Sequence, residues 1–84
     1  MTSISKPAKS LAEIKTGAMV TLENILVGRE LTSRMTSLGL TPGASVEVLQ
    51  NFGRGPIIVN VRGTHVALGR GEARKLLVSE GTQA

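Results

Sequence analysis

The stretch from Leu31 to Val48 leaves the fewest choices for any chain that contains it. Leu31, Met35 and Leu38 stand at i, i+4 and i+7. That is the helical period, and it predicts a short helix over about 29–38 that turns one apolar stripe to a core. Gly39 follows at once. Glycine suits the left-handed residue that ends a helix, where a side chain costs roughly 1–2 kcal/mol. Leu40 can then fold back on the helix as the apolar partner of the cap. Pro42 forbids helical continuation, and Pro42-Gly43 reads as a type II turn. Beyond it Val46 and Val48 follow the period of a strand. A helix, a stop, a tight turn and a strand are thus written in one run. The run specifies architecture and names no chemistry.

The 84 residues have room for one small domain, at the low end of what folds alone. With 40% hydrophobic and 19% charged residues the chain is globular in character, not disordered. Phe52 is the only aromatic, so the core must be built from Val, Ile, Leu, Met and Ala. There is no cysteine. That excludes disulfides, thiolate metal sites and cysteine nucleophiles, and it suits a reducing compartment. No apolar run approaches the ~18 residues of a membrane span, and Met1–Lys9 lacks the apolar segment of a signal peptide. The expectation is a cytoplasmic protein without membrane insertion. Its net charge is +4, but the ten cations are scattered and form no block. Such a pattern reads as a solvated basic surface.

Met1–Lys9 carries no periodicity and reads as a flexible tail, so the domain is expected over 10–79, with 80–84 a second tail. Ser10 and Glu13 fit a capping box, which predicts a helical turn near 11–15 that sends Leu11 and Ile14 into a core. Ala18–Ile25 alternates as a strand, with a bulge expected near Asn24, where Ile25-Leu26-Val27 breaks the alternation. Glu30 and Arg34 are spaced for a surface pair on the helix. Ser45–Gln50 is the second strand, and Asn51–Gly55 a glycine-rich hairpin loop. Pro56 opens a third strand in which Ile57, Val59 and Val61 face inward and Ile58, Asn60 and Arg62 outward. After a turn at Arg62–Thr64 come a strand at His65–Leu68, a helical turn near 71–75 and a closing strand at Leu76–Ser79. The chain is therefore mainly β: a small barrel of about five strands, since closure removes edges that so small a sheet could not protect.

Little in the chain offers chemistry. His65 is the only histidine, and it stands inside a strand. The acids are six dispersed glutamates with no aspartate, so one chain is not expected to hold a metal or a catalytic site. Gly53-Arg54-Gly55 and Gly69-Arg70-Gly71 lack phosphate-loop spacing and read as turns. Phe52 alone makes no platform for stacked bases or proline-rich peptides. The expectation is a non-enzyme without a cofactor.

The residues nevertheless resemble a known family. Leu31-x-x-Arg34-Met35-x-x-Leu38-Gly39-Leu40-x-Pro42-Gly43-x-x-Val46-x-Val48 is similar to the core of the ferrous-iron transport protein A (FeoA) family. So are Leu11, Gly17 and Ile25, then Gly55-Pro56-Ile57-x-Val59-x-Val61-Arg62-Gly63, then Val66-Ala67-Leu68, Ala73 and Leu77-Val78. The likeness runs from about Leu11 to Val78. One departure is Gly69-Arg70-Gly71, where the family tends to have an arginine directly after the leucine. The resemblance implies an SH3-like barrel with an inserted helix, an association with transition-metal ions, and no enzymatic activity. It implies a cytosolic accessory of the membrane GTPase permease that imports ferrous iron (FeoB). A related module forms the C-terminal domain of iron-dependent repressors.

Side chains the barrel does not need are the candidates for partner contact: Arg34 on the helix, Phe52 and Arg54 in the hairpin loop, and Arg62 on the third strand. Arginine pairs with carboxylates in a planar fork, and aromatics are over-represented among binding anchors. Leu31, Met35, Leu38, Gly39, Leu40, Pro42 and Gly43 form the structural motif. The protein is expected to be a monomer or weak homo-oligomer that does not bind nucleic acid. Two alternatives stay open: a basic barrel that binds nucleic acid, and a metal-responsive or metal-chaperone module that shares His65 and glutamates between chains.

Overall fold

A computed structural model describes residues 9–26 and 28–80. The strands are β1 (Lys9–Ser10), β2 (Met19–Ile25), β3 (Ser45–Gln50), β4 (Ile57–Val61), β5 (Thr64–Leu68) and β6 (Leu76–Glu80). Helix α1 spans Arg29–Ser37, helix α2 spans Arg70–Ala73, and a 3₁₀ turn covers Leu11–Glu13. All six strands join one antiparallel sheet in the order β1-β6-β2-β3-β4-β5. The sixth strand beyond the expected count is β1. Lys9 and Ser10 pair with Val78 and Leu77, and Lys9 also meets the Glu80 carboxylate at 3.7 Å. Both Lys9 and Glu80, assigned to tails on sequence, thus lie in strands. Two residues carry no alternation, so only their partner strand reveals them.

The organising stretch folds as a complete helix stop. Gly39 has φ +92°. Its N–H donates to the Thr36 carbonyl at 3.0 Å, and the Leu40 N–H donates to the Met35 carbonyl at 2.8 Å. These are the two bonds of the Schellman motif, and Met35 and Leu40 supply its apolar contact, both fully buried. The turn after it closes through Ala44 N–H to the Thr41 carbonyl at 2.9 Å, with Gly43 at φ +94°, as a type II turn requires.

One expectation fails here. Leu38 does not pack into the core; it is 37% exposed. It is the C-cap residue, with ψ near 0°, and the chain reverses immediately after it. Leu40, brought back by the Schellman turn, fills the place the periodic stripe would have given Leu38. Only Met35 of α1 is fully buried, with Leu31 half-buried beside it.

Alternation holds in the sheet. Val20 and Leu22, Val46 and Val48, Ile57, Val59 and Val61, Val66 and Leu68, and Leu76 and Val78 all point into one core. Leu11 and Ile14 enter it from the 3₁₀ turn, and Ala73 from α2. The bulge of β2 falls between Leu22 and Asn24, and a second irregularity lies between Val48 and Gln50. Strand β4 ends at Val61, so Arg62 is not in it. Arg62 (φ +53°) and Gly63 (φ +83°) are the two central residues of a tight hairpin turn to β5. Two successive left-handed residues match the right-handed twist of the flanking strands.

Candidate partner-binding surface

Three of the four candidate contact residues divide between opposite ends of β4, and the fourth, Arg34, lies on α1. Phe52 and Arg54 sit in the loop that precedes it, and Arg62 in the turn that follows. A five-residue strand separates them by roughly 16 Å. Arg62 lies against the end of α1: a Cβ at Gly39 would stand 3.7 Å from the Arg62 Cδ. Arg34 is on α1 and its side chain is 61% exposed. Its expected partner was Glu30, but it pairs with Glu72 of α2 at 2.5 Å. The Glu72 carboxylate also accepts the Gly69 N–H at 3.2 Å, so one side chain both caps α2 and ties α1 to it. Leu31, Met35, Gly39, Leu40, Pro42 and Gly43 belong to the scaffold that carries Arg34.

Phe52 is the most exposed large apolar side chain among the described residues, at 73%. Its loop is held from below. The Asn51 Nδ2 donates to the carbonyls of Ile14 at 2.7 Å and Ala12 at 3.1 Å. The Asn51 Oδ1 accepts from the Gly53 N–H at 3.0 Å and from the Arg70 guanidinium at 2.9 Å. Arg70 also donates to the carbonyls of Gly55 at 3.0 Å and Ala12 at 3.2 Å. The Asn51 N–H donates to the Thr16 Oγ1 at 2.8 Å. The aromatic ring therefore projects from a loop that is fixed at both ends before any partner arrives, which lowers the ordering cost of binding.

Asn51 and Arg70 were missed on sequence, because their acceptors lie 15 to 58 residues away along the chain. One local signal was available. Asn51 two residues before Gly53 fits an Asx turn, in which the asparagine oxygen accepts the second following N–H.

His65 is exposed on β5, across from Asn60 of β4. Asn60 Nδ2 reaches the Glu47 carboxylate of β3 only at 3.5 Å, a marginal bond. Among the described residues no three His, Cys, Asp or Glu side chains converge as metal ligands. No helix among them is long and apolar enough to cross a membrane. The geometry provides exposed arginines and one aromatic on a rigid sheet, which is equipment for contact.

The architecture is that of a small SH3-like protein. It is similar to the zinc complex of FeoA from Stenotrophomonas maltophilia, described as a procaryotic SH3 domain protein. The TM-score is 0.76 at 25% identity, over 86% of this chain and 91% of that one. The FeoA domain family matches residues 9–80, and the chain belongs to it. A crystal structure of the iron uptake regulatory protein FeoA has TM-score 0.81 and 36% identity, over 89% of this chain and 99% of that one. In sequence, the Fe(2+) transport protein A of Methanocaldococcus jannaschii is 34% identical over 70 residues, 83% of this chain and 84% of the relative.

Proposed function

We propose that this protein is a cytoplasmic, non-enzymatic accessory of ferrous-iron uptake that binds the membrane GTPase permease of the FeoB type. The observation that carries the reading is the FeoA match across 9–80, from the first described strand to the last. The relative named for Fe(2+) transport and the iron uptake regulatory protein FeoA match it over most of their own length as well. A protein of this kind acts by contact, and its exposed arginines and single aromatic fit that role. Phe52 is the central anchor of the contact; Arg54 beside it, and Arg34 and Arg62 farther off, serve as rim charges. Losing a central anchor costs about 2 kcal/mol or more of binding, whereas truncating a rim arginine mainly slows association and alters its salt dependence.

The test has two arms. A deletion strain is assayed for anaerobic ferrous uptake, and the purified protein is passed over the immobilised cytosolic domain of the permease from the same source. Reduced uptake together with retention supports the reading. Normal uptake together with no retention ends it.

A further inference from the structure

Helices α1 and α2 leave the same corner of the sheet. Ile25 of β2 pairs with Leu76 of β6, and just beyond that pair the Leu26 N–H donates to the Lys75 carbonyl at 2.8 Å. The chain therefore enters α1 beside the point where it leaves α2. The Arg34–Glu72 ion pair joins the two helices a second time, farther along α1. Between these two ties lies a groove of about 680 Å³, within the usual size of a ligand cleft. Leu31, half-buried, contributes apolar surface to it; Arg29, Arg34, Lys75, Glu30 and Glu72 supply its charges.

Those charges are not balanced. Arg34 and Glu72 satisfy each other, and the second Glu72 oxygen is occupied by the Gly69 N–H. Arg29 and Lys75 are exposed, and neither is in an ion pair among the described residues. Glu30 alone offsets them, so the groove keeps a net positive charge over an apolar contact. A nucleic-acid backbone, charged at every residue, gains nothing from Leu31. An extended peptide with carboxylates on one side and an aliphatic side chain on the other meets Arg29 and Lys75 with the first and Leu31 with the second, opposed by Glu30 alone.

We propose that the groove between α1 and α2 is a docking site for an acidic, partly aliphatic segment of a partner protein, held by Arg29 and Lys75 at its edges and Leu31 beneath. The partner's identity rests on the adaptor reading given above; the groove's preference does not. Arg34 ties α1 to α2 beside the groove through Glu72 while most of its side chain stays in solvent as a rim charge.

The test is an NMR titration of the ¹⁵N-labelled full chain with a capped hexapeptide of alternating glutamate and leucine. The expected result is saturable shifts at the amides of Leu31, Ser33, Glu72 and Lys75 that shrink as salt rises. Arg29→Ala and Lys75→Ala each weaken binding about two- to five-fold, the range of an exposed charge pair. Glu30→Gln removes a repelling carboxylate and strengthens it by a similar factor. The Glu30 side chain makes no hydrogen bond or ion pair among the described residues, so its variant reads charge without disturbing a helix cap. Shifts spread evenly over Arg54, Arg62 and the other surface cations would overturn the proposal. So would weaker binding in Glu30→Gln, or an oligonucleotide shifting the groove amides more strongly than the peptide. Retention by the permease domain that survives Arg29→Glu with Lys75→Glu would overturn the groove and leave the adaptor reading standing. Peptide binding without permease retention would do the reverse.

Discussion

Arg70, at the start of α2, gives its guanidinium hydrogens to the Gly55 and Ala12 carbonyls and the Asn51 side chain, whereas Arg34, on α1, meets one carboxylate and keeps most of its side chain in solvent. The difference extends to the regions around them. Near Arg70, the 3₁₀ turn, the β3–β4 loop and α2 are stitched together by side chains that bond to main chain. Near Arg34, α1 is held by Met35, by half of Leu31 and by a single ion pair. A cation that gives three hydrogen bonds to its own chain is part of the scaffold. A cation that is mostly solvated remains available to another molecule.

The comparison can be broken by stability measurements. Met35→Ala should have the largest effect, about 2–5 kcal/mol, because it empties the one fully buried position of α1; a thermal melt near wild type would mean that α1 is not docked through it. Asn51→Ala comes next, at about 2–4 kcal/mol, since four side-chain hydrogen bonds vanish together. Denaturant unfolding would read it, and a loss as small as that of Arg34→Ala would erase the contrast between the two regions. Gly39→Ala should cost about 1–2 kcal/mol from its positive φ alone. A new Cβ there meets nothing closer than 3.7 Å, so the penalty should be the same in an Arg62→Ala background. The smallest effects belong to Leu38→Ala and Arg34→Ala, each about 1 kcal/mol or less, as exposed positions allow.

The helix stop was legible because its causes are local. Gly39, Leu40, Pro42 and Gly43 act within a few residues of one another, so spacing alone places the Schellman motif and the turn. The inward faces of β3 and β4 were legible for the same reason: alternation is written along one strand. Leu38 was misread because periodicity continues the helix one residue past the place where the cap turns the chain. Strand β1 is too short to show a pattern. At the candidate surface, the exposure of Phe52 followed from its glycine-rich loop, but the anchoring beneath it did not. Asn51 and Arg70 find their partners across the fold, and nothing in their immediate neighbours marks Arg70 as structural and Arg34 as exposed.

The central claim is that the protein binds the ferrous-iron permease through side chains its fold does not need, with Phe52 as the anchor. Calorimetric titration of the wild-type chain and of Phe52→Ala into the permease's cytosolic domain tests it most directly. The account predicts saturable binding by the wild type, and a loss of about 2 kcal/mol or more in Phe52→Ala with an unchanged melting temperature. Wild-type binding that Phe52→Ala leaves intact, or no binding by the wild type at all, would contradict it.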